Sequence, residues 1–519
     1  MPNSRSPSPG LGRIFDPMVR IDSCRSTARW PFGPFRPSLL VAVTVAACGG
    51  ADGRDLASRT VAWLQSATDG GAYAPPGTPP DLAIAGYAKV LCSAVFVSGR
   101  DVDEAARNSG FFFLAEADRD RVTDITVDRD GKLVRMTWAD SITRTAKFYS
   151  DQGCVIHPVG EDSVHFAPVV VETSLPDAMT QEWPMGDVEP DGPPPEIDSV
   201  KLAAAVDAAF ADPEALTAAF LVAYRGRIIA ERYGQGADKD TQLESWSMGK
   251  SLTATLLGLL VREGELSLDD PAPVSVWRED GDPRGAIEVQ DLLRMSSGLR
   301  FIAPRDPDYT PDKGYPDHMY IYTGAIDAFA HSYTRPVQFP PNTEGRYRNS
   351  DPLTIGHIIK QIVTGRGEEY LTFPQTALFD KIGIRRQVLE PDPYGNFLLT
   401  GYDYGTARNW ARLGLLHLWD GVWLGERLLP EGWVEFVTSP APAWSQPVYG
   451  GFFWLNGIGE WNLPDDAYFM AGGGGQRTFV VPSLDLVVVR MGHFRGSAAG
   501  MATLNVALEK LVAAIDGAR

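Results

Sequence analysis

A serine and a lysine three residues apart, at the head of an apolar helical run, constrain this chain more than any other feature. Ser247-Met248-Gly249-Lys250 leads into Ser251-Leu252-Thr253-Ala254-Thr255-Leu256-Leu257-Gly258-Leu259-Leu260-Val261. Residues three apart on a helix share a face, so the amine of Lys250 can reach the hydroxyl of Ser247. Such a pair is one way to activate a serine without histidine. Alone the pattern is weak, with about one chance match expected in a chain of this length. Lys250 is, however, the only lysine here with a serine three residues before it. The plainer alternative is an ordinary helix start with Ser245 or Ser247 as N-cap.

Two further motifs shift the balance. Tyr347-Arg348-Asn349 precedes a second amphipathic run, Leu353 to Ile359. Ala471-Gly472-Gly473-Gly474-Gly475-Gln476 precedes strand-like Thr478 to Val481, and Leu484 to Val489 reads as a buried strand. In this order, S-x-x-K, Y-x-N and a Gly-rich strand edge resemble the serine β-lactamase and penicillin-binding protein superfamily. The resemblance is strongest to its class C-like branch of 6-aminohexanoate-dimer hydrolases and family VIII-type esterases. It spans residues 198–519. Arg294 to Leu299, the helix Thr406 to Gly414 (similar to "ARDWARFG"), the turn Leu428 to Trp433 (similar to "ILPEGW") and Gly474-Gly475-Gln476 with Val480-Val481-Pro482 all carry it. A rival Y-x-N, Tyr394-Gly395-Asn396, is flanked by Pro393 and reads as a turn.

The resemblance implies an α/β (α+β) fold, with an antiparallel sheet flanked by helices and a helical subdomain. It implies a serine hydrolase cleaving an amide or ester through a Ser247 acyl-enzyme, with Lys250 and Tyr347 assisting. Asn349 is then expected to hydrogen-bond Lys250 or the substrate. Gly472, Gly473 and Gly474 are expected at the substrate, and the backbone N–H groups of Ser247 and Gly473 are expected to hold the oxyanion. One departure matters. β-Lactamases and DD-peptidases carry Lys-Thr-Gly or His-Thr-Gly where this chain has Met470-Ala471-Gly472. Loss of that cation argues against β-lactams and peptidoglycan stems as main substrates. β-Lactamase or DD-peptidase activity, and a non-catalytic envelope-binding lipoprotein of the same fold, stand as alternatives. Asp306, Asp308, Asp312 and Asp317 form an acidic loop that a substrate ammonium or plain solvent can occupy.

The net charge of −19 over 519 residues argues against nucleic acid as partner. A small-molecule substrate is expected instead. Arg20, Arg25, Arg29 and Arg36 precede the apolar run Leu39 to Ala47, too short to span a bilayer but suited to a signal h-region. Val45-Ala46-Ala47-Cys48-Gly49 resembles a bacterial lipoprotein signal, so residues 1–48 read as a leader, Cys48 as a lipidated membrane anchor and the protein as exported to the periplasm or cell envelope. Cys92 and Cys154 then remain as a candidate disulfide, with two separate buried thiols as the alternative. No metal-ligand spacing occurs and no cofactor is expected. Residues 49–172 read as a small α+β domain containing a hairpin around Arg129-Asp130-Gly131, and 173–197 as a Pro/acidic linker.

Overall fold

The structure of the protein is a computed structural model that describes residues 75–516, apart from 115, 190–193 and 195. The leader 1–48, Cys48 and part of the 173–197 segment lie outside the described residues. All that is described belongs to one compact unit.

Helix α1 spans Pro79–Phe96. Thr78 accepts from the Asp81 amide, and two prolines fill the first turn, where no donor is needed. Its inner face packs on a four-stranded antiparallel meander: β1 (Val122–Asp128), β2 (Leu133–Trp138), β3 (Ile142–Phe148) and β4 (Cys154–Ile156). The expected hairpin is the β1–β2 pair. Cys92 of α1 and Cys154 of β4 are joined by a disulfide.

The main sheet has the order β7-β8-β9-β10-β5-β6, antiparallel throughout. It consists of β5 (Thr217–Tyr224), β6 (Arg227–Tyr233), β7 (Trp454–Leu455), β8 (Tyr468–Gly472), β9 (Gln476–Val481) and β10 (Leu486–Gly492). Period-two alternation gives β5 two apolar faces. Phe220, Val222 and Tyr224 join the core under α2 (Ser199–Ala209) and the C-terminal helix α7 (Ser497–Asp516). Ala219, Leu221 and Ala223 join the larger core shared with α3 (Gly249–Arg262), α5 (Ser350–Gly365) and α6 (Ala407–Leu418). A fully buried Val, Leu or Phe contributes about 1.5–3 kcal/mol, so a sheet covered on both faces fixes the register of its strands firmly. Between β6 and β7 lies the helical region, which includes α4 (Asp317–Thr323).

Two buried ionic contacts join the α1 segment to the remainder. Lys89 pairs with Glu390, whose other carboxylate oxygen accepts from Ser93 Oγ at 2.8 Å and from the Cys154 amide at 2.6 Å. The Lys89 ammonium also lies 3.3 Å from the centroid of the Tyr402 ring. Arg100 reaches Glu244 at 3.4 Å, and Ser109 Oγ donates to Glu244 at 2.7 Å. Burial by itself would raise the Glu244 carboxyl. The Arg100 charge, with His493 and Ser109, more than reverses this and holds it at about 2 against an ordinary 4.5.

A depressed carboxyl pKa contributes stability that is complete above its unfolded value and lost as the pH falls through the folded one. Glu244→Gln is therefore expected to cost about 3 kcal/mol near neutrality, by leaving Arg100 buried without it. The gap between the wild-type and variant urea midpoints should close as pH falls from about 4.5 to about 2. A gap independent of pH would show that the charge of Glu244 contributes nothing.

Candidate active site

Ser247 lies in a 3-10 turn, Trp246–Met248, that runs straight into α3. Neither candidate serine caps the helix. Ser245 Oγ is hydrogen-bonded to the Asp403 carboxyl and, at 3.0 Å, to its carbonyl oxygen. Ser247 Oγ donates to the Thr400 carbonyl at 3.2 Å. Ser245 stands at the N-cap position of this turn, but its side chain makes no cap hydrogen bond. Lys250 Nζ donates to Ser247 Oγ at 2.9 Å and to the same Thr400 carbonyl at 3.0 Å. The lysine is 1% exposed, and no carboxylate among the described residues pairs with it. Burial holds its amine well below the ordinary 10.5.

Gly249 sets how closely α3 approaches the turn 399–402 and the start of the short strand Asp403–Gly405. A Cβ there would stand 2.3 Å from the Leu399 carbonyl oxygen and 2.9 Å from Asp403 Oδ2. Glycine at this position tightens the serine's surroundings, because any side chain would push the Thr400 carbonyl away from Lys250. Asp403 is fully buried, and burial raises its carboxyl to about 8.

Tyr347 closes the other side. Its ring centroid is 4.9 Å from Lys250 Nζ, and its hydroxyl shares a hydrogen bond with Ser247. Burial pushes the phenol up to about 12, against that hydrogen bond and the charges of Arg305 and Arg477, so it is protonated at neutral pH. Asn349 does not reach Lys250. Its Nδ2 donates to the Tyr322 hydroxyl at 3.1 Å and to the His318 carbonyl at 3.3 Å. Tyr322 in turn donates to the Thr400 carbonyl at 2.6 Å. Asn349 thus acts on the cluster through Tyr322 of α4. Burial first, and then the charge of Arg305, lower the His318 imidazole well below the ordinary 6.5, and its Nδ1 has no partner.

The glycine run divides its tasks. Gly472 abuts the serine's turn: a Cβ would meet the Ser245 carbonyl oxygen at 2.0 Å and the Ser247 nitrogen at 3.1 Å. Gly473 is surrounded by the rings of Trp246, Phe112 and Phe494 at 3.5 to 3.7 Å from its Cβ direction. Gly474, with φ of +83°, is buried and turned toward Phe494. The guanidinium of fully buried Arg490 donates to the Gly474 and Gly475 carbonyls at 2.9 and 3.0 Å, and to that of Ala215 at 2.7 Å. The run is accordingly a braced strand edge, with Gly474 and Gly475 serving Arg490.

Met470 is buried, so the strand offers no cation there. Arg477, opposite Ala471 on β9, brings its charge to bear on Tyr347 from one strand away. In the acidic loop Asp306 pairs with Arg348 at 3.2 Å, Asp308 with Arg346 at 2.7 Å and Asp317 with His331 at 2.8 Å. Arg335 also lies 3.7 Å from Asp317, so three of the four carboxylates face an arginine of the protein itself. Tyr394 is an exposed turn residue whose amide is held by Asp392. Sequence reasoning passed over Thr400, Tyr322, His318, Arg477 and Phe112. Only Tyr322 and His318, inside the loop already singled out, had any signal.

Gly249→Ala should destabilise the fold by about 1–3 kcal/mol. It should also slow the reaction of Ser247 with a fluorophosphonate. Unfolding midpoints and the labelling rate read the two effects separately. Unchanged labelling would show that the Thr400 carbonyl does not control the serine.

The beta-lactamase family profile matches residues 202–512. The 6-aminohexanoate-dimer hydrolase of Paenarthrobacter ureafaciens is 24% identical over 295 residues, covering 54% of this chain and 73% of that protein. A beta-lactamase of Pseudomonas fluorescens is 25% identical over 171 residues, 33% of this chain and 43% of its own length. Among solved structures, a penicillin-binding protein homologue from Caulobacter crescentus superposes with a TM-score of 0.48 at 19% identity, covering 63% of this chain and 98% of that one. With S-x-x-K, Y-x-N and the glycine edge gathered at one point of an antiparallel sheet, and more than half its length within the family profile, the chain is a hydrolase-fold member of the beta-lactamase family, in the serine β-lactamase and penicillin-binding protein superfamily.

Proposed function

We propose that the protein hydrolyses a small amide or ester by acyl transfer to Ser247. The observation that carries this is Lys250 Nζ at 2.9 Å from Ser247 Oγ, where burial without a counter-charge lowers the amine's pKa and favours its neutral form. A neutral amine is a base; an ammonium is not. Lys250 takes the serine proton as Oγ attacks the carbonyl carbon. The protonated phenol of Tyr347, hydrogen-bonded with Ser247, delivers a proton to the departing nitrogen or oxygen. The N–H groups of Ser247 and Gly473 receive the developing oxyanion. Water then attacks the acyl-enzyme, and the same groups run the steps in reverse.

Buried Met470 in place of a strand cation favours substrates held without a charge partner for the carboxylate that β-lactams carry, and the relative named a 6-aminohexanoate-dimer hydrolase supports a linear amide. Arg477 supports keeping β-lactams as a second reading, because it supplies a positive charge close to Tyr347. Export as a lipoprotein through Cys48 belongs to the same proposal, supported by the basic and apolar leader and by a disulfide suited to an oxidising compartment.

Purified protein and Ser247→Ala are compared on p-nitrophenyl acetate and butyrate, 6-aminohexanoate dimer, nitrocefin and a D-Ala-D-Ala peptide. Ester or aminohexanoate turnover is expected, falling about 10⁴-fold in Ser247→Ala. Nitrocefin as the best substrate would favour the β-lactamase reading. Silence on all five, with no adduct on Ser247 by mass spectrometry, would leave a binding protein of this fold.

The sign of the pH dependence is fixed by Lys250. Its neutral form is the active one, so kcat/KM should fall as the pH drops through its depressed pKa, and activity should persist far below pH 10.5. Lys250→Arg, charged at every accessible pH, should be inactive throughout the profile.

A further inference from the structure

We infer that Phe112, from the segment ahead of the catalytic region, is a positioning residue for the oxyanion site formed by Ser247 and Gly473. This rests on the acyl-transfer reading of that site.

Trp246, immediately before Ser247, has φ of +50° and is 3% exposed. A bulky residue holds the left-handed conformation only where its surroundings over-determine it. Its indole nitrogen has no hydrogen-bond partner, so ring packing alone sets the side chain. The principal contact is Phe112, stacked on it with centroids 3.9 Å apart and planes 20° from parallel. Phe494 meets the Phe112 ring edge-on, at 5.0 Å and 75°. All three rings converge on Gly473, whose Cβ direction points at Trp246 Cγ, Phe112 Cε2 and Phe494 Cε2 at 3.5, 3.6 and 3.7 Å. One ring from the leading segment therefore bears on both proposed oxyanion donors. It bears on Ser247 through the strained Trp246, and on Gly473 by direct contact.

The loop carrying Phe112 is itself fixed. A Cβ on Gly110 would lie 1.9 Å from the Tyr87 ring, and one on Gly86 would lie 2.4 Å from the Phe113 ring. Neither close approach tolerates a side chain. Arg100 donates to Ser109 Oγ at 2.9 Å, and Ser109 donates to Glu244 at 2.7 Å, three residues upstream of Ser247. The leading segment thus holds Glu244, in the two-residue strand Leu243–Glu244 just ahead of the serine, as well as Trp246 beside it. A plain hydrophobic seam between two parts of a fold would not need to meet the oxyanion glycine.

The test uses the full chain with Phe112→Ala, the milder Phe112→Leu and the conservative Phe112→Tyr. Fluorophosphonate titration counts competent Ser247 in each, which corrects for any misfolded fraction. On the best ester, kcat per titrated site should fall at least about 10-fold in Phe112→Ala with KM within about 3-fold, as for loss of a transition-state contact. The Ki of phenylboronic acid should rise in step with the loss in kcat/KM, because its tetrahedral serine adduct puts a boron-bound oxygen in the oxyanion site. Phe112→Tyr should restore both. Unchanged per-site kcat and Ki would reduce Phe112 to packing and overturn the inference. A change in KM alone would make it a wall of the substrate pocket, also overturning it. Wild type labelled at Ser247 keeps the hydrolase reading in either case; no labelling of wild type sinks that reading and this inference together.

Discussion

An amine buried without a counter-ion is the constraint around which this site is built. Lys250 is 1% exposed, and its two polar contacts are a hydroxyl and a carbonyl. Had a carboxylate been within reach, the ammonium would have been stabilised and the lysine would have become a structural ion pair, as Lys89 is with Glu390. Burial alone sets the protonation state. Everything that keeps water and negative charge out therefore belongs to the machinery: the close approach at Gly249, the neutral Asp403 carboxyl and the three donors gathered on one Thr400 carbonyl.

The two lysines show how one residue type takes opposite roles in one chain. Lys89 is surrounded by Glu390, the Tyr402 face and, further off, Glu244. Lys250 has a hydroxyl, a carbonyl and the face of Tyr347, and no carboxylate among the described residues. The difference lies in what the rest of the fold presents: a carboxylate, Glu390, to Lys89 of the leading segment, but a hydroxyl and a carbonyl to Lys250. That segment is thus bound to the catalytic region by charge and by aromatic stacking at two separate points, and its rings end at the serine.

Much of this could be read before any coordinates. Ser247 and Lys250 are three apart on one helix, so their meeting is a property of the helix itself. Tyr347 and the glycine edge came from an ordered set of motifs, and two strands of the sheet from the apolar runs Thr478 to Val481 and Leu484 to Val489. What escaped was of two kinds. The Thr400 carbonyl has no side-chain signature, because any residue could supply it. Phe112, Glu390 and Tyr322 act across long sequence separations, where no spacing rule applies. Asn349 shows the limit of analogy: the residue is where expected, yet its amide serves Tyr322 and reaches Lys250 only through the shared carbonyl. The fate of the cysteines was left open for the same reason, since Cys92 and Cys154 meet only once α1 lies on β4.

Arg490 carries a consequence for how such a site can vary over generations. Its guanidinium passes through space vacated by three glycines, where a Cβ would fall 2.7 Å (Gly475), 2.6 Å (Gly492) and 2.1 Å (Gly500) from its atoms. Each glycine is permissive only because the other two are also glycine and the arginine is extended. Drift at any one of them is blocked until the arginine changes, and the arginine is blocked because the carbonyls of Gly474 and Gly475 would lose their donor. The four positions are packed as a single unit. The mutational freedom of the catalytic strand edge is therefore decided at positions on β10 and α7 that never touch a substrate.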